Sequence, residues 1–123
     1  MNYLWIAAGA VVGASARYFL SGFAARHVSP SFPYGTLLIN ITGSLILGFF
    51  LSYSGERVLL DPRWRLLVAV GFCGSYTTFS SYAFETFALA EQGQWAVAAA
   101  NVIVSNALCL VAVLAGAALA RGL

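Results

Sequence analysis

The sequence predicts an all-α integral membrane protein: four transmembrane helices, the third broken near its middle, in one domain over residues 1–123. Three observations predict it. The composition is 61% hydrophobic and 8% charged with a mean hydropathy of +0.86, whereas a soluble domain carries about 25% charged residues. Ten charges are too few to clothe a globule, which excludes an ordinary cytosolic enzyme. Residues 28–55, 66–84 and 92–120 contain no Asp, Glu, Lys or Arg, and each gap is long enough to cross a hydrocarbon core as a helix, which takes roughly 20 apolar residues. Within the third segment, two glycines and a run of hydroxyl residues stand mid-span, where an unbroken helix would hold apolar side chains.

The first helix is expected over about 4–24, with Arg17 inside it. A cleaved signal peptide is rejected, because the basic n-region is missing, no clean cleavage site precedes Arg17, and three further spans follow. Ser29-Pro30-Ser31-Phe32-Pro33 separates it from a second helix at 34–53. Ser54 to Arg63, with Asp61-Pro62, leads to a third segment at 64–90, and Gln92-Gly93-Gln94 to a fourth at 95–120. Trp5, Trp64 and Trp95 fall near the predicted ends, where aromatic belts sit. His27 reads as an interfacial side chain. An even number of spans puts both termini on one side, which with the second loop carries Arg57, Arg63, Arg65 and Arg121, against Arg26 and the embedded Arg17. The bias leans to cytoplasmic termini, but its small margin is what a chain inserted in both orientations would show.

Lipid does not drive helices together by hydrophobicity, so small and weakly polar residues mark the packing faces. Gly9 and Gly13 share a face of helix one; Thr36, Asn40, Ser44 and Gly48 share one on helix two; Asn101, Ser105 and Cys109 share one on helix four. The glycines read as packing residues, and Cys73 and Cys109 as buried packing thiols, neither disulfide nor metal pair. Asn40 is different: a primary amide at mid-span is costly without partners. The run Gly71-Phe72-Cys73-Gly74-Ser75-Tyr76-Thr77-Thr78-Phe79 is the expected break, since unwound backbone at membrane depth must line a cavity or be buried in protein. Beyond it, Phe79, Tyr82 and Glu85 or Thr86 form a stripe. Ring edges are electropositive, so this stripe is open to two readings, packing or an anion path without a trapping charge.

Gly13-Ala14-Ser15-Ala16-Arg17-Tyr18, Pro33-Tyr34-Gly35-Thr36-Leu37-Leu38-Ile39-Asn40 with Gly43-Ser44, and Gly71 to Ser80, in this order and across essentially the whole chain, resemble the small bacterial fluoride channels of the Fluc (CrcB) family. The resemblance implies an antiparallel, dual-topology homodimer in the bacterial inner membrane with two fluoride pathways along its interface. It also implies a structural sodium ion on the two-fold axis, held by the backbone carbonyls of Gly74 and Thr77. Asn40 corresponds to the pore asparagine and Phe79 to the first of two pore phenylalanines; the second falls on Tyr82, a departure that keeps the ring and adds a hydroxyl. Thr78, Ser81 and Ser105 correspond to the hydroxyl track, Glu85 to the acid near the pore mouth, and Arg17 to the vestibule arginine. Asn101 stands where some members carry a tyrosine. The implied partners are fluoride, sodium, the bilayer and a second, oppositely oriented copy, with no nucleic acid and no organic cofactor.

Two other readings of the same residues are a small multidrug-type proton-coupled antiporter and a structural membrane subunit without transport. The first needs an embedded carboxylate, usually in helix one, and here only Glu85 in helix three offers one. No nucleophile–base pair stands out for enzyme chemistry.

Overall fold

The computed structural model describes residues 1–56 and 60–122; Arg57, counted above in the second loop, lies outside them. The elements are α1 (Asn2–His27), α2 (Tyr34–Glu56), a helical run α3 over 62–76, α4 (Phe79–Glu91) and α5 (Trp95–Gly122). The run α3 starts as an α turn, Pro62–Trp64, widens into π turns over Arg65–Cys73, and closes with Gly74–Tyr76. Its start is written in Asp61-Pro62-Arg63: Asp61 accepts from the Arg63 backbone N–H at 2.9 Å, and Pro62 needs no donor there. The Arg63 side chain returns to the Asp61 carboxylate at 2.6 Å and lies 5.4 Å over the Trp5 ring. Its hydrogen bonds hold the Asp61 carboxyl at about 2, below the ordinary 3.8. At the end of α1, the His27 ring packs on Phe23 with centroids 4.4 Å apart.

Three helices, α1, α2 and α5, are each long and apolar enough to cross a membrane. The third segment reaches a spanning length only as the sum of α3 and α4, because neither piece alone has the roughly 20 residues required. Two extended residues divide it, Thr77 at φ −80°, ψ 159° and Thr78 at φ −150°, ψ 117°. The break is thus narrower than the 71–79 stretch in which the sequence placed it.

Packing follows the lipid rule. Val11, Phe19, Ile103 and Leu114 are each more than 60% exposed, while Ala98, Ala112, Ala117 and Ala120 are buried, the reverse of a soluble core. The tightest pairs are α1 with α3 and α2 with α5. In each, glycines let backbones touch. A Cβ on Gly9 would strike the Leu67 carbonyl, and one on Gly116 the Leu45 carbonyl and, at 2.7 Å, the Phe49 amide. Gly48 meets the Val113 backbone in the same way. This division leaves α4 docked mainly against α5, and an open seam where α2, α5 and the break converge.

Candidate functional site

The break is stabilised by a side chain imitating a peptide group. Asn40 on α2 donates from Nδ2 to the Thr78 carbonyl at 3.0 Å and accepts at Oδ1 from the Thr78 N–H at 2.9 Å. In a continuous helix the Thr78 N–H would serve the Gly74 carbonyl. Its diversion to Asn40 releases that oxygen from the helical ladder. The next carbonyl, Ser75, accepts from Arg17 Nε at 3.0 Å, and Thr77 donates both its N–H (3.1 Å) and its hydroxyl (2.8 Å) to the Cys73 carbonyl. Below the break, Thr78 caps α4 by accepting from the Ser81 N–H at 3.1 Å.

A groove of about 340 Å³ opens beside these residues. Asn40 and Ser44 of α2, Thr77 and Thr78 of the break, Phe79 and Tyr82 of α4, and Ser105, Asn106 and Cys109 of α5 line it, with Leu47, Leu110 and Val113 completing an apolar part. Among the described residues, no Arg, His, Asp or Glu side chain lines it. The Phe79 and Tyr82 rings are tilted by 58° with centroids 5.4 Å apart, and Phe79 is 77% exposed. One of the two Nδ2 protons of Asn40 is taken by Thr78, which leaves the other as a donor.

A chain of hydrogen bonds behind the groove sets the polarity of Ser105. Thr86 donates its hydroxyl proton to the Tyr82 carbonyl at 2.8 Å, so it receives the Asn101 amide at 2.8 Å as an acceptor. The Asn101 oxygen therefore faces Ser105 and takes its proton at 3.0 Å. Asn101 and Ser105 are 1% and 7% exposed. Ser105 accordingly borders the groove with its lone pairs and spends its proton elsewhere.

Of the residues singled out in the sequence, Asn40, Thr77, Thr78, Phe79, Tyr82 and Ser105 meet at this groove. Ser81 does not line it; its hydroxyl sits in the first turn of α4 as the acceptor of Thr78 Oγ1 at 3.2 Å. Gly74 lies on an exposed face at the end of α3. Arg17 lines neither this groove nor the next cavity and instead clamps the break from α1. Glu85 faces a second cavity of about 400 Å³, between the ends of α1 and α4 and the start of α2. There it accepts from Thr36 Oγ1 at 3.0 Å, while its Oε1 is buried with no partner among the described residues. Thr36 and Asn40 are one turn apart on α2, about 6 Å along the axis, so the two cavities succeed one another.

Asn106 was missed. Its Nδ2 lies 3.1 Å from the Tyr82 hydroxyl and 2.8 Å from the Val102 carbonyl. The cost argument that singled out Asn40 applies equally to this mid-span amide and would have found it. Both cysteines are free thiols. Among the described residues, no three His, Cys, Asp or Glu side chains group as metal ligands.

Residues 4–117 match the family described as CrcB-like protein, Camphor Resistance (CrcB). The chain is 60% identical over 122 residues, 99% of its length and 97% of the relative's, to the fluoride-specific ion channel FluC of Koribacter versatilis. It is 48% identical to the protein of the same name from Rhodospirillum rubrum, over 94% of this chain and 92% of that one. A third, from Sulfurihydrogenibium sp., is 45% identical over 98% and 97%.

Proposed function

From the premise that this chain belongs to the CrcB family, we propose that it is a fluoride-selective channel, passively releasing fluoride across the bacterial inner membrane and so lowering the cytoplasmic level. The observation that carries the reading is the full-length similarity to a relative named as a fluoride-specific ion channel. The groove at the break supplies a physical means. Fluoride is small and tightly hydrated, so a selective path replaces its water with fixed donors and excludes larger, softer chloride. Asn40, with a proton to spare, and the ring edges of Phe79 and Tyr82 are such groups without a full positive charge, and a cationic side chain here would hold the anion too long. Thr78 and Ser105 border the same path, and Ser81 supports it through Thr78. The Thr36–Glu85 cavity continues it towards one mouth, and Arg17 belongs to the entrance region.

No pump is needed. Hydrogen fluoride is a weak acid that crosses membranes neutral and dissociates in a less acidic cytosol, trapping the anion. A negative interior potential then drives fluoride outward by about 2.3 kcal/mol per 100 mV.

The path has one open wall. Phe79 and Asn106 are exposed at its rim, and a second copy in the opposite orientation would close it, giving two pathways per homodimer. The small arginine bias between the two sides supports dual insertion. A sodium ion between the copies fits the residues present, since the break frees the Gly74 carbonyl from its helical donor and a hard cation takes carbonyl oxygens. Gly74 and Thr77 would hold it, and its positive charge would fasten the break.

The test is anion efflux from liposomes holding the purified protein, fluoride against chloride, read with ion-selective electrodes. Fluoride loss with chloride retained is expected. Retention of both ions by folded protein overturns the reading.

A further inference from the structure

Asn106 on α5 touches Tyr82 on α4, and the hydrogen-bond directions there are determined. The Asn106 nitrogen is 2.8 Å from the Val102 carbonyl, and a carbonyl oxygen only accepts, so the amide presents its NH₂ on this side and not its oxygen. The same nitrogen is 3.1 Å from the Tyr82 hydroxyl. Both of its protons are thus placed, one on Val102 and one on the phenol. The phenol oxygen accepts from Asn106, and its own proton must point elsewhere. A phenolic O–H lies near the ring plane in one of two orientations, and the amide occupies one of them. The other is left to the phenolic proton, and both residues line the groove.

The neighbouring hydroxyl cannot supply that donor. Ser105 gives its proton to Asn101 at 3.0 Å, in a chain directed through Thr86 to the Tyr82 carbonyl. An anion at this level meets Ser105 lone pairs.

We propose that Asn106 is a positioning residue that presets the Tyr82 hydroxyl as an anion donor, so that a phenolic O–H, and not Ser105, meets fluoride at this level of the path. The proposal rests on the reading of the groove as the fluoride pathway. It makes the hydroxyl at position 82 a recognition element of this chain, additional to the ring edge, and assigns a role to an amide that otherwise stands exposed in a span.

Fluoride currents through the full-length protein in planar bilayers, measured against fluoride concentration, test it. Tyr82→Phe, which keeps the ring, is expected to raise the half-saturating concentration about tenfold, as losing one charge-assisted hydrogen bond would, with a smaller change in maximal current. Asn106→Leu is expected to raise it about twofold, since the freed hydroxyl then divides between two orientations. Asn106→Ala gives the same reading without the bulk of Leu. Neither Asn106 variant is expected to shift the value further in the Tyr82→Phe background. Wild-type half-saturation in Tyr82→Phe overturns the proposal, as does an Asn106 effect of equal size in both backgrounds, which would mark a purely structural role. Wild-type protein silent to fluoride fails the pathway reading itself and takes the proposal with it, an outcome distinct from either of these.

Discussion

Replacing Asn40 by Leu removes a donor and an acceptor at once while keeping the side-chain size. The Thr78 N–H and C=O, paired to that amide at 2.9 and 3.0 Å, are then left without partners at membrane depth. Side-chain hydrogen bonds between membrane helices average about 0.6 kcal/mol and reach about 1.7, so two of them lie between about 1.2 and 3.4 kcal/mol. The upper end applies here, because both groups left unpaired belong to the backbone of the break, each costing about 1–3 kcal/mol when buried without a partner. A loss of about 3 kcal/mol is expected. Asn40→Asp, ionised, keeps an oxygen for the Thr78 N–H but loses the donor to the carbonyl and adds a charge at membrane depth, about 2.5–3.5 kcal/mol on insertion scales, so its loss should be no smaller. The assay is equilibrium unfolding in mixed detergent micelles, followed by tryptophan fluorescence, with fluoride efflux measured on the same preparations. Stability of Asn40→Leu within about 0.5 kcal/mol of wild type, the range of an inconsequential surface change, would refute the claim that this amide holds the break. Flux separates the second role: Asn40→Asp should lose fluoride passage beyond what its destabilisation accounts for, because its negative charge repels the anion. Flux that merely follows stability through both variants would remove Asn40 from the pathway.

Phe79→Ile should reduce fluoride efflux by roughly tenfold or more, since an electropositive ring edge is lost; its side chain is 77% exposed within the chain, so folding should be unaffected, and size-exclusion chromatography separates any loss of assembly from loss of flux. Gly116→Ala pushes a methyl group against the Leu45 and Phe49 backbone and should cost about 1–3 kcal/mol by overpacking, while Gly122→Ala, with nothing within 4 Å, should be neutral in the same unfolding assay. Removing sodium from the buffers should weaken the dimer or its flux, with recovery on adding it back, and indifference to every cation would argue against the Gly74/Thr77 carbonyl site.

What could be read from the sequence was what lipid makes expensive. Charge-free stretches, small residues on helix faces, an amide at position 40 and a glycine–threonine run each carry a cost that only a membrane architecture offsets, and each reappears as a structural device. Directions and partners were not legible. Nothing in Arg65–Cys73 distinguishes π turns from α turns, and the stretch packs on α1, a partner distant in sequence. The stripe Phe79, Tyr82, Glu85 reads as one face in sequence, yet α2 divides it, sending the rings to one cavity and the carboxylate to Thr36 in the next. Ser105 is expected in the hydroxyl track, and its commitment to Asn101 is not legible in sequence because it depends on Thr86, from another helix. Arg17, expected at the vestibule, spends its Nε on the Ser75 carbonyl, a contact between residues far apart in the chain.

The reliance of the break on Asn40 has a consequence for biogenesis. An extended Thr77–Thr78 pair cannot face hydrocarbon alone, so the third segment can adopt its final form only once α2 lies alongside it. Because α2 precedes that segment, the ribosome delivers the partner before the need arises, and a kinked span that would be hard to insert in isolation enters next to a chaperoning amide already in the bilayer. A circular permutant that synthesised α3 and α4 first would expose the Thr78 backbone to lipid, or leave the span an unbroken helix, until α2 arrived.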